Sequence, residues 1–210
     1  ATRQAAGLFD VSHMGVYHIE GADAAAFLDS VVSNDAGKLR PGNSLYTHFL
    51  TPDAKVIDDT IIYRRADDKY LMVVNASNDD KDRTWLEAVR DGKVKVDNAR
   101  PWARTFGYEA VIRNLRDPKA GPDMRVDIAL QGPRSTDILL ALGADDVNRR
   151  NIRALKRTQL CDAKVGTKEN GISEPFDLIV SRTGYTGEKV AYELFVHPER
   201  AAEFWQALMR

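Results

Sequence analysis

Residues 56–75 read VIDDTIIYRRADDKYLMVVN, two apolar arms joined by a polar centre. Both arms, 56–63 and 70–75, are rich in the β-branched and aromatic residues that favour strands. Between them lie the turn formers Asp67 and Asp68. This stretch therefore predicts an antiparallel hairpin.

A helix is predicted directly after the hairpin. Ser77 or Asn78 is a suitable N-cap for a helix over residues 81–89. Its inner face would carry Trp85, Leu86 and Val89. Residues 91–121 are less regular and rich in Pro, Gly and Arg, so we expect a strand or two with long loops there.

Three other segments each combine a short strand, a small or proline-containing turn and an amphipathic helix. They are 16–19 with 24–32, 126–130 with 134–142, and 192–196 with 199–209. The last helix has the spacing of a core-facing stripe at Ala201, Phe204, Trp205 and Leu208. We therefore expect an α+β fold, with antiparallel sheets, split β-α-β (ferredoxin-like) units and helices packed on one face.

Composition excludes several classes of function. The 30 basic and 31 acidic residues give a net charge of −1, which removes the usual electrostatic reason for a nucleic-acid or anionic-membrane surface. No apolar run approaches the roughly 20 residues that span a bilayer. The single cysteine, Cys161, cannot form an internal disulfide, which indicates a reducing compartment. We expect a cytoplasmic protein, or one of the mitochondrial matrix in a eukaryote.

Two adjacent aspartates, Asp58 and Asp59, lie in the first arm of the hairpin. Neighbouring strand residues point to opposite faces, so the two carboxylates cannot converge on one bond as an acid/base pair. At least one lies among apolar neighbours, where it needs hydrogen-bond donors or a raised pKa. A turn symmetric about Asp67 places Asp59 opposite Asn75, whereas a one-residue slip pairs Asp58 with Asn75.

Two interpretations of this carboxylate–amide pair are open. It can be a buried polar pair that only fixes strand register. Alternatively, it can bind a flat heterocycle with alternating donors and acceptors, such as a pterin or a purine, because an acid and an amide present both kinds of group.

Other polar motifs carry weaker signals. His13 lies in FDVSHMG (9–15), but the other histidines, His18, His48 and His197, do not stand at ligand spacing, so we expect no metal site. The segment RTGYTGE (182–188) does not have the spacing of a phosphate loop; it is a tight turn with an exposed tyrosine or a ligand clamp. For Cys161 a small packed residue is favoured over a nucleophilic thiol.

Several blocks together resemble the glycine-cleavage T-protein family. They are GLFDVSHMG (7–15), VIDD (56–59), VVNASN (73–78) with Lys81-Asp82, ALQGP (129–133) and TGYTGE (183–188). They occur in the family's order and span nearly the whole chain. The resemblance implies an aminomethyltransferase that takes the aminomethyl group from the lipoyl arm of H-protein. It transfers the one-carbon unit to tetrahydrofolate, giving 5,10-methylenetetrahydrofolate and ammonia.

The resemblance also implies site residues. Members hold folate in a central cavity, and Asp59 matches the essential carboxylate beside the reacting pterin nitrogens. The expected role of Asp59 is to orient folate and to stabilise positive charge as the nitrogen attacks the methylene carbon. The folate-contacting positions match Met14, Tyr46, Val73, Asn75, Tyr185 and Glu193.

Some features depart from the family pattern. The link between TGE (186–188) and the next strand is one residue longer than usual, so Glu193 matches only if the insertion bulges out. The stretch 100–125 is also longer than usual. We expect a folate-binding α+β subdomain over 15–150, a second, discontinuous subdomain formed by 1–14 with 151–210, and no C-terminal β-barrel domain in this chain.

Two other functions remain open from the sequence. One is a folate-dependent demethylase or amine-oxidase domain that uses a different one-carbon donor. The other is a non-catalytic folate-binding factor for iron–sulfur assembly, although Cys161 in Leu160-Cys161-Asp162 does not match that group's cysteine motif.

Overall fold

The computed structural model describes residues 1–99 and 107–210, which form two antiparallel five-stranded sheets. The strands are Gly7–Asp10 (β1), Gly15–Glu20 (β2), Asn43–Leu50 (β3), Val56–Ala66 (β4), Lys69–Val74 (β5), Val111–Asn114 (β6), Val126–Gln131 (β7), Leu160–Val165 (β8), Phe176–Ser181 (β9) and Ala191–Val196 (β10). The α-helices are Ala24–Val31 (α1), Asp79–Arg90 (α2), Ser135–Leu142 (α3), Asp146–Ala154 (α4) and Pro198–Leu208 (α5). The predicted α+β class with antiparallel sheets is confirmed.

The chain divides into two compact units. The first unit comprises residues 1–13 and 117–210, and the second comprises 14–116. The boundary expected at residue 150 differs from this division. Residues 117–150 belong with the chain ends, because β7 is hydrogen-bonded between β1 and β10.

The first unit contains the sheet with strand order β1-β7-β10-β9-β8. Alternate residues of its central strands turn toward α3, α4 and α5 and form one apolar core with them. The helix α5 contributes Phe204 and Leu208 to this core, and Ala201 and Trp205 pack against its edge, as the predicted stripe requires. Polar residues occupy positions on the opposite face of the sheet.

The second unit contains the sheet with order β3-β4-β5-β2-β6, and α1 and α2 cover one of its faces. The hairpin β4–β5 has the register expected for a turn symmetric about Asp67, with Thr60 paired to Val74 and Tyr63 to Leu71. An irregularity between Arg64 and Ala66 tightens the turn at Asp67 and Asp68. The predicted hairpin is confirmed, and both of its strands extend further toward the turn than expected.

The structure contains the predicted helices together with further strands and one further helix. The helices predicted in the three repeated segments and after the hairpin are present as α1, α3, α5 and α2. The strands β1, β3 and β8 and the helix α4 were not expected from the sequence. Of the irregular stretch 91–121, the strand β6 is observed, while the part at 100–106 lies outside the described residues.

Candidate functional site

The end of the β4–β5 hairpin in the second unit carries a carboxylate–amide cluster. Continuing the observed register by one residue beyond β5 brings Asp59 opposite Asn75. The Asn75 Nδ2 atom lies 3.0 Å from Oδ1 of Asp58, 3.0 Å from Oδ1 of Asp59 and 3.3 Å from the Asp59 carbonyl oxygen. One amide group therefore bridges both aspartates, so the alternative between Asp58 and Asp59 as its partner does not apply.

The two aspartates have different surroundings because they lie on opposite faces of β4. Asp58 is 7% exposed and shares the helix-covered face with Thr60 and Ile62. Burial raises the pKa of Asp58, but hydrogen bonds with Asp82, Asn75 and Asn78 outweigh burial and bring the pKa below its usual range. Asp58 is therefore a structural anion that is held by donors.

Asp82, on α2, is the partner of Asp58 across the sheet–helix interface and is 0% exposed. Burial, and then the hydrogen bond and negative charge of Asp58, raise the pKa of Asp82 to about 8. At neutral pH Asp82 is thus a neutral acid that donates to the Asp58 carboxylate. The result is a hydrogen-bonded series of Asp82, Asp58, Asn75 and Asp59.

Lys81 fixes the start of α2 against β4. Its Nζ donates to the carbonyl oxygen of Ile57 at 2.8 Å and to the side-chain oxygen of Asn78 at 3.0 Å. Both acceptors lie next to the cluster along the chain, and the lysine itself is exposed. Lys81 therefore secures the backbone that precedes the two aspartates.

The face of this sheet that points away from α1 and α2 brings the other predicted residues near Asp59. Tyr46 of β3 is paired with Ile61, which is in turn paired with Val73 of β5. Partial desolvation and a hydrogen bond with Asp59 raise the pKa of Tyr46, which is 56% exposed. Met14 directly precedes Gly15, which is paired with Val74, so Met14 adjoins Asn75 in the same register.

The first unit carries a second polar cluster on the sheet face opposite α3, α4 and α5. Its buried members are Asp127, Gln131, Ser181 and Glu193, each at most 3% exposed. Glu193 of β10 is paired with Ala129 on one side and Ser181 on the other. The Thr183 hydroxyl donates to the Glu193 carboxylate and lies 2.9 Å from the hydroxyl of Ser181. This hydroxyl pair holds the Glu193 side chain in place.

The segment 183–187 is held over this sheet by Gln131. Its side-chain oxygen accepts hydrogen bonds from the backbone N–H, at 3.2 Å, and from the hydroxyl of Thr186. A Cβ atom at Gly184 would lie 2.4 Å from Ala191 and 2.7 Å from Gln131, so this close approach requires glycine. Between these anchors Tyr185 is 61% exposed. Partial burial, together with the charges of Asp127 and Glu193, raises the pKa of Tyr185 to about 12.

The structure gives no support for a nucleophilic thiol at Cys161. Burial raises the pKa of the half-buried Cys161 thiol to about 11, which makes it a poor nucleophile at neutral pH. Within residues 1–99 and 107–210, no three His, Cys, Asp or Glu side chains are grouped to hold a metal ion. In the same part of the chain no helix has the length and apolarity needed to cross a membrane.

Comparison with known proteins identifies the family. The model of the GCVT N-terminal domain family matches residues 1–210, the whole chain. The chain belongs to this family. The resemblance to the glycine-cleavage T-protein family is thereby confirmed.

Similar members of the family include curated aminomethyltransferases. The protein of Halothermothrix orenii is 37% identical over 209 residues, and that of Bacillus subtilis is 36% identical over 209 residues. In each case the match covers 100% of this chain and 48% of the relative. The chain thus spans about half the length of the curated relatives that it matches.

Solved structures give the same result for the fold. The glycine cleavage system aminomethyltransferase T of Bartonella henselae superposes with a TM-score of 0.72 at 28% identity, over 99% of this chain and 46% of that one. A heterotetrameric sarcosine oxidase of Corynebacterium sp. U-96 matches 99% of this chain and 84% of its own with a TM-score of 0.55. At 13% identity that likeness shows the fold alone.

Within this GCVT N-terminal domain, the site residues predicted from sequence fall into two sets. The second unit brings together Met14, Tyr46, Asp59, Val73 and Asn75. The first unit brings together Tyr185 and Glu193. Sequence reasoning gave no role to Asp82, Asp127 or Gln131. The sequence did contain a signal for Asp82. It lies three and four residues before Trp85 and Leu86, so it falls on the apolar face of α2, where a charged residue is unexpected and needs a partner.

Proposed function

We propose that this chain is the folate-binding part of an aminomethyltransferase of the glycine cleavage system. The proposed reaction takes the aminomethyl group from the lipoyl arm of H-protein and gives 5,10-methylenetetrahydrofolate, ammonia and the free lipoyl thiol. The methylene carbon leaves sulfur and nitrogen and becomes bonded to two folate nitrogens. The two protons that those nitrogens lose are accounted for by the thiol and the ammonia, so the transfer needs no oxidant or reductant.

The observation that supports this proposal best is the amide bridge of Asn75 to both aspartates. It leaves Asp59 partly exposed on the open face of the sheet, beside the Tyr46 hydroxyl. An oriented carboxylate at that point can accept a hydrogen bond from a pterin N–H. It also stabilises the positive charge that develops on the attacking nitrogen. Asp59 is therefore the proposed catalytic residue.

The other members of the set would bind the pterin. Asn75 supplies an amide beside the carboxylate, Tyr46 an exposed aromatic ring, and Val73 and Met14 apolar contact surface. In the first unit, Tyr185 and Glu193 are proposed folate contacts by the family match, an aromatic ring and a carboxylate acceptor. Tetrahydrofolate is thus the proposed one-carbon acceptor and lipoylated H-protein the proposed partner.

The test has two steps on the full-length protein. Titration with 5-formyltetrahydrofolate, followed by a co-crystal structure, asks whether a pterin binds at Asp59 and Asn75. Formation of methylenetetrahydrofolate is then measured with aminomethyl-loaded H-protein and, separately, with sarcosine plus an added two-electron acceptor, which oxidation of the N-methyl group to the methylene level requires. A pterin bound away from Asp59 and Asn75 contradicts the site. Product from sarcosine alone contradicts the aminomethyltransferase and supports a demethylase, and folate binding without transfer supports a folate-binding assembly factor.

A further inference from the structure

The proposed site leaves one buried acid without a role. Asp127, on β7, is 1% exposed, and within residues 1–99 and 107–210 neither of its carboxyl oxygens forms a well-aligned hydrogen bond. The backbone N–H groups of Leu194 and Ile128 lie near the carboxyl group and lower its pKa by less than burial raises it. An ionised carboxylate that is buried without donors is strongly unfavourable. Such a side chain is expected either to be a neutral acid or to receive a hydrogen bond from a bound ligand.

The neighbours of Asp127 favour the neutral acid. Asp127 is paired with Phe195 and Glu193 with Ala129, so Asp127 and Glu193 are diagonal neighbours on one sheet face. Burial, and then the charge of Glu193, raise the pKa of Asp127 well above its usual value. Tyr185 is a further titratable group near both acids, and its raised pKa keeps it uncharged.

In the described part of the chain, the strands that flank β7 place no cation directly beside Asp127 on this face. The β1 residue paired with Ala129 is Phe9, and the β9 residues paired with Phe195 and Glu193 are Ile179 and Ser181. On β8, at the edge of the sheet, the same face carries the exposed Asp162, which is paired with Ile179. It also carries the exposed Lys164, whose cation lies 4.0 Å from the Asp177 carboxylate of β9 and is matched by it. Asp127 therefore lies beside acids and neutral groups of its own unit, which keeps its proton in place.

The cluster thus presents two different hydrogen-bonding groups side by side. Glu193 is a carboxylate held by Thr183, and it accepts hydrogen bonds. Asp127, as a neutral acid, carries an O–H that can donate one. Ala129, the residue directly opposite Glu193, is small, and the side-chain nitrogen of Gln131 is buried without a partner in the described part of the chain.

We propose that Asp127 determines ligand specificity, donating a hydrogen bond to a carbonyl oxygen of a heterocycle whose adjacent N–H groups donate to Glu193. The 2-amino-4-oxo edge of a pterin has this pattern of two donors next to one acceptor. A 2,4-diamino edge replaces the acceptor with a donor and opposes the Asp127 O–H. The inference rests on the proposed function, in which Glu193 contacts the pterin.

The test compares ligand preference among variants by calorimetric titration of the full-length protein. The probes are 5-formyltetrahydrofolate, which has the 4-oxo group, and a 2,4-diamino analogue of it. The wild-type protein is expected to favour the 4-oxo probe. Asp127→Asn keeps an N–H donor and should keep this preference, whereas Asp127→Leu should lose about tenfold or more in affinity for the 4-oxo probe. Asp177→Asn, an exposed change on β9, is the matched control and should leave both affinities unchanged.

A second measurement needs no ligand. The folded protein holds a proton on Asp127 that the unfolded chain releases above pH about 4, so rising pH favours unfolding. Between pH 5 and 7, the unfolding equilibrium constant of wild type should therefore rise relative to that of Asp127→Asn, by at most about tenfold per pH unit. Asp177→Asn should keep the wild-type slope.

The outcomes separate the two proposals. If the wild-type protein binds neither probe, the proposed function fails, while the stability measurement still reports the proton on Asp127. If wild type binds the 4-oxo probe and the preference survives in Asp127→Leu, only the specificity role is overturned. Equal pH slopes in wild type and Asp127→Asn overturn the neutral acid, whatever the ligand results.

Discussion

Asn75 donates to two carboxylates that differ in their surroundings and hence in what they can do. Asp58 is buried against α2 and paired with a neutral acid, so its charge is used within the fold. Asp59 is half-buried, points to the face away from the helices and has the Tyr46 hydroxyl as a neighbour. The same residue type in adjacent positions thus has a structural role and a proposed catalytic one.

The first prediction separates these roles by matched substitutions. Asp59→Asn should lower the transfer rate by about a hundredfold or more, the typical effect of removing one electrostatic group at a reacting centre. Its melting temperature should change little. Asp58→Asn should instead lower the stability, by about 1–3 kcal/mol, because one of the two accepting oxygens becomes an N–H donor that faces the donors Asp82, Asn75 and Asn78. Transfer assays and urea unfolding on both variants check this, and equal, small effects on turnover would contradict the assignment.

Much of this cluster could be predicted from the sequence. The apolar alternation of the arms and the turn residues Asp67 and Asp68 predicted the hairpin. A turn symmetric about Asp67, one of the two registers that the sequence left open, is the one observed, and it places Asp59 opposite Asn75. Strand alternation alone did not show that Asn75 reaches both aspartates. Asn75 lies one residue beyond the end of β5, so its side chain is not confined to one face of the sheet. The partner Asp82 was not predicted, since its contact depends on how α2 packs across the sheet.

The second prediction concerns the proton on Asp82. Between pH about 4 and 8 the folded protein keeps this proton and the unfolded chain does not, so stability falls as pH rises. The free energy of unfolding of wild type should decline relative to Asp82→Asn by at most about 1.4 kcal/mol per pH unit over this range, and no further above it. The measurement is urea unfolding at pH 5, 6, 7, 8 and 9.

A matched control distinguishes this effect from a general change in helix charge. Asp80 lies in the same first turn of α2 and is exposed, so Asp80→Asn should follow the wild-type curve. If Asp82→Asn keeps the wild-type slope between pH 5 and 8, Asp82 is not the group that holds the proton.

At the scale of elements, sequence periodicity predicted the helices better than the strands. The helices α1, α2, α3 and α5 have clear apolar stripes, whereas α4 buries only Ile152 and is otherwise mostly polar. The strand β1 has only four residues, and β8 contains Asp162, Ala163 and Lys164, residue types that are depleted in strands, so neither has a strong local signal. Both are set by pairing with partners that are distant in sequence, β7 and β9.

The third prediction tests the turn that carries Tyr185. In Gly184→Ala the added Cβ would meet Ala191 and Gln131 at distances that require one of them to move. We expect a loss of stability of about 1–3 kcal/mol, as for overpacking, and weaker binding of 5-formyltetrahydrofolate as Tyr185 shifts. Gly37→Ala is the control, because its Cβ would find no atom closer than 3.4 Å. Thermal unfolding and titration measure both effects, and equal behaviour of the two variants would argue against the close-approach constraint.

At the scale of the whole molecule, the continuous unit 14–116 interrupts the sequence of the discontinuous unit formed by 1–13 and 117–210. The sequence did not reveal the division at residue 117, since the pairing of β1 with β7 joins segments more than a hundred positions apart and has no local pattern. The chain enters and leaves the second unit at neighbouring positions of its sheet. Tyr17 is paired with Asn114, and the N–H of Leu115 donates to the carbonyl oxygen of Val16.

The last prediction follows from this arrangement. Residues 14–116 expressed alone should fold cooperatively, because their sheet and both of its helices have a shared core within the segment. Residues 117–210 alone should not, since β7 would lose β1 and expose an unpaired edge. Joining residue 13 to residue 117 through a short glycine-rich linker should restore folding. The chain enters and leaves the second unit at adjacent positions, so a short linker can replace that unit. Circular dichroism and urea unfolding on the three chains provide the measurement. Cooperative unfolding of 117–210 without β1 would show that the N-terminal strand is dispensable for the discontinuous unit.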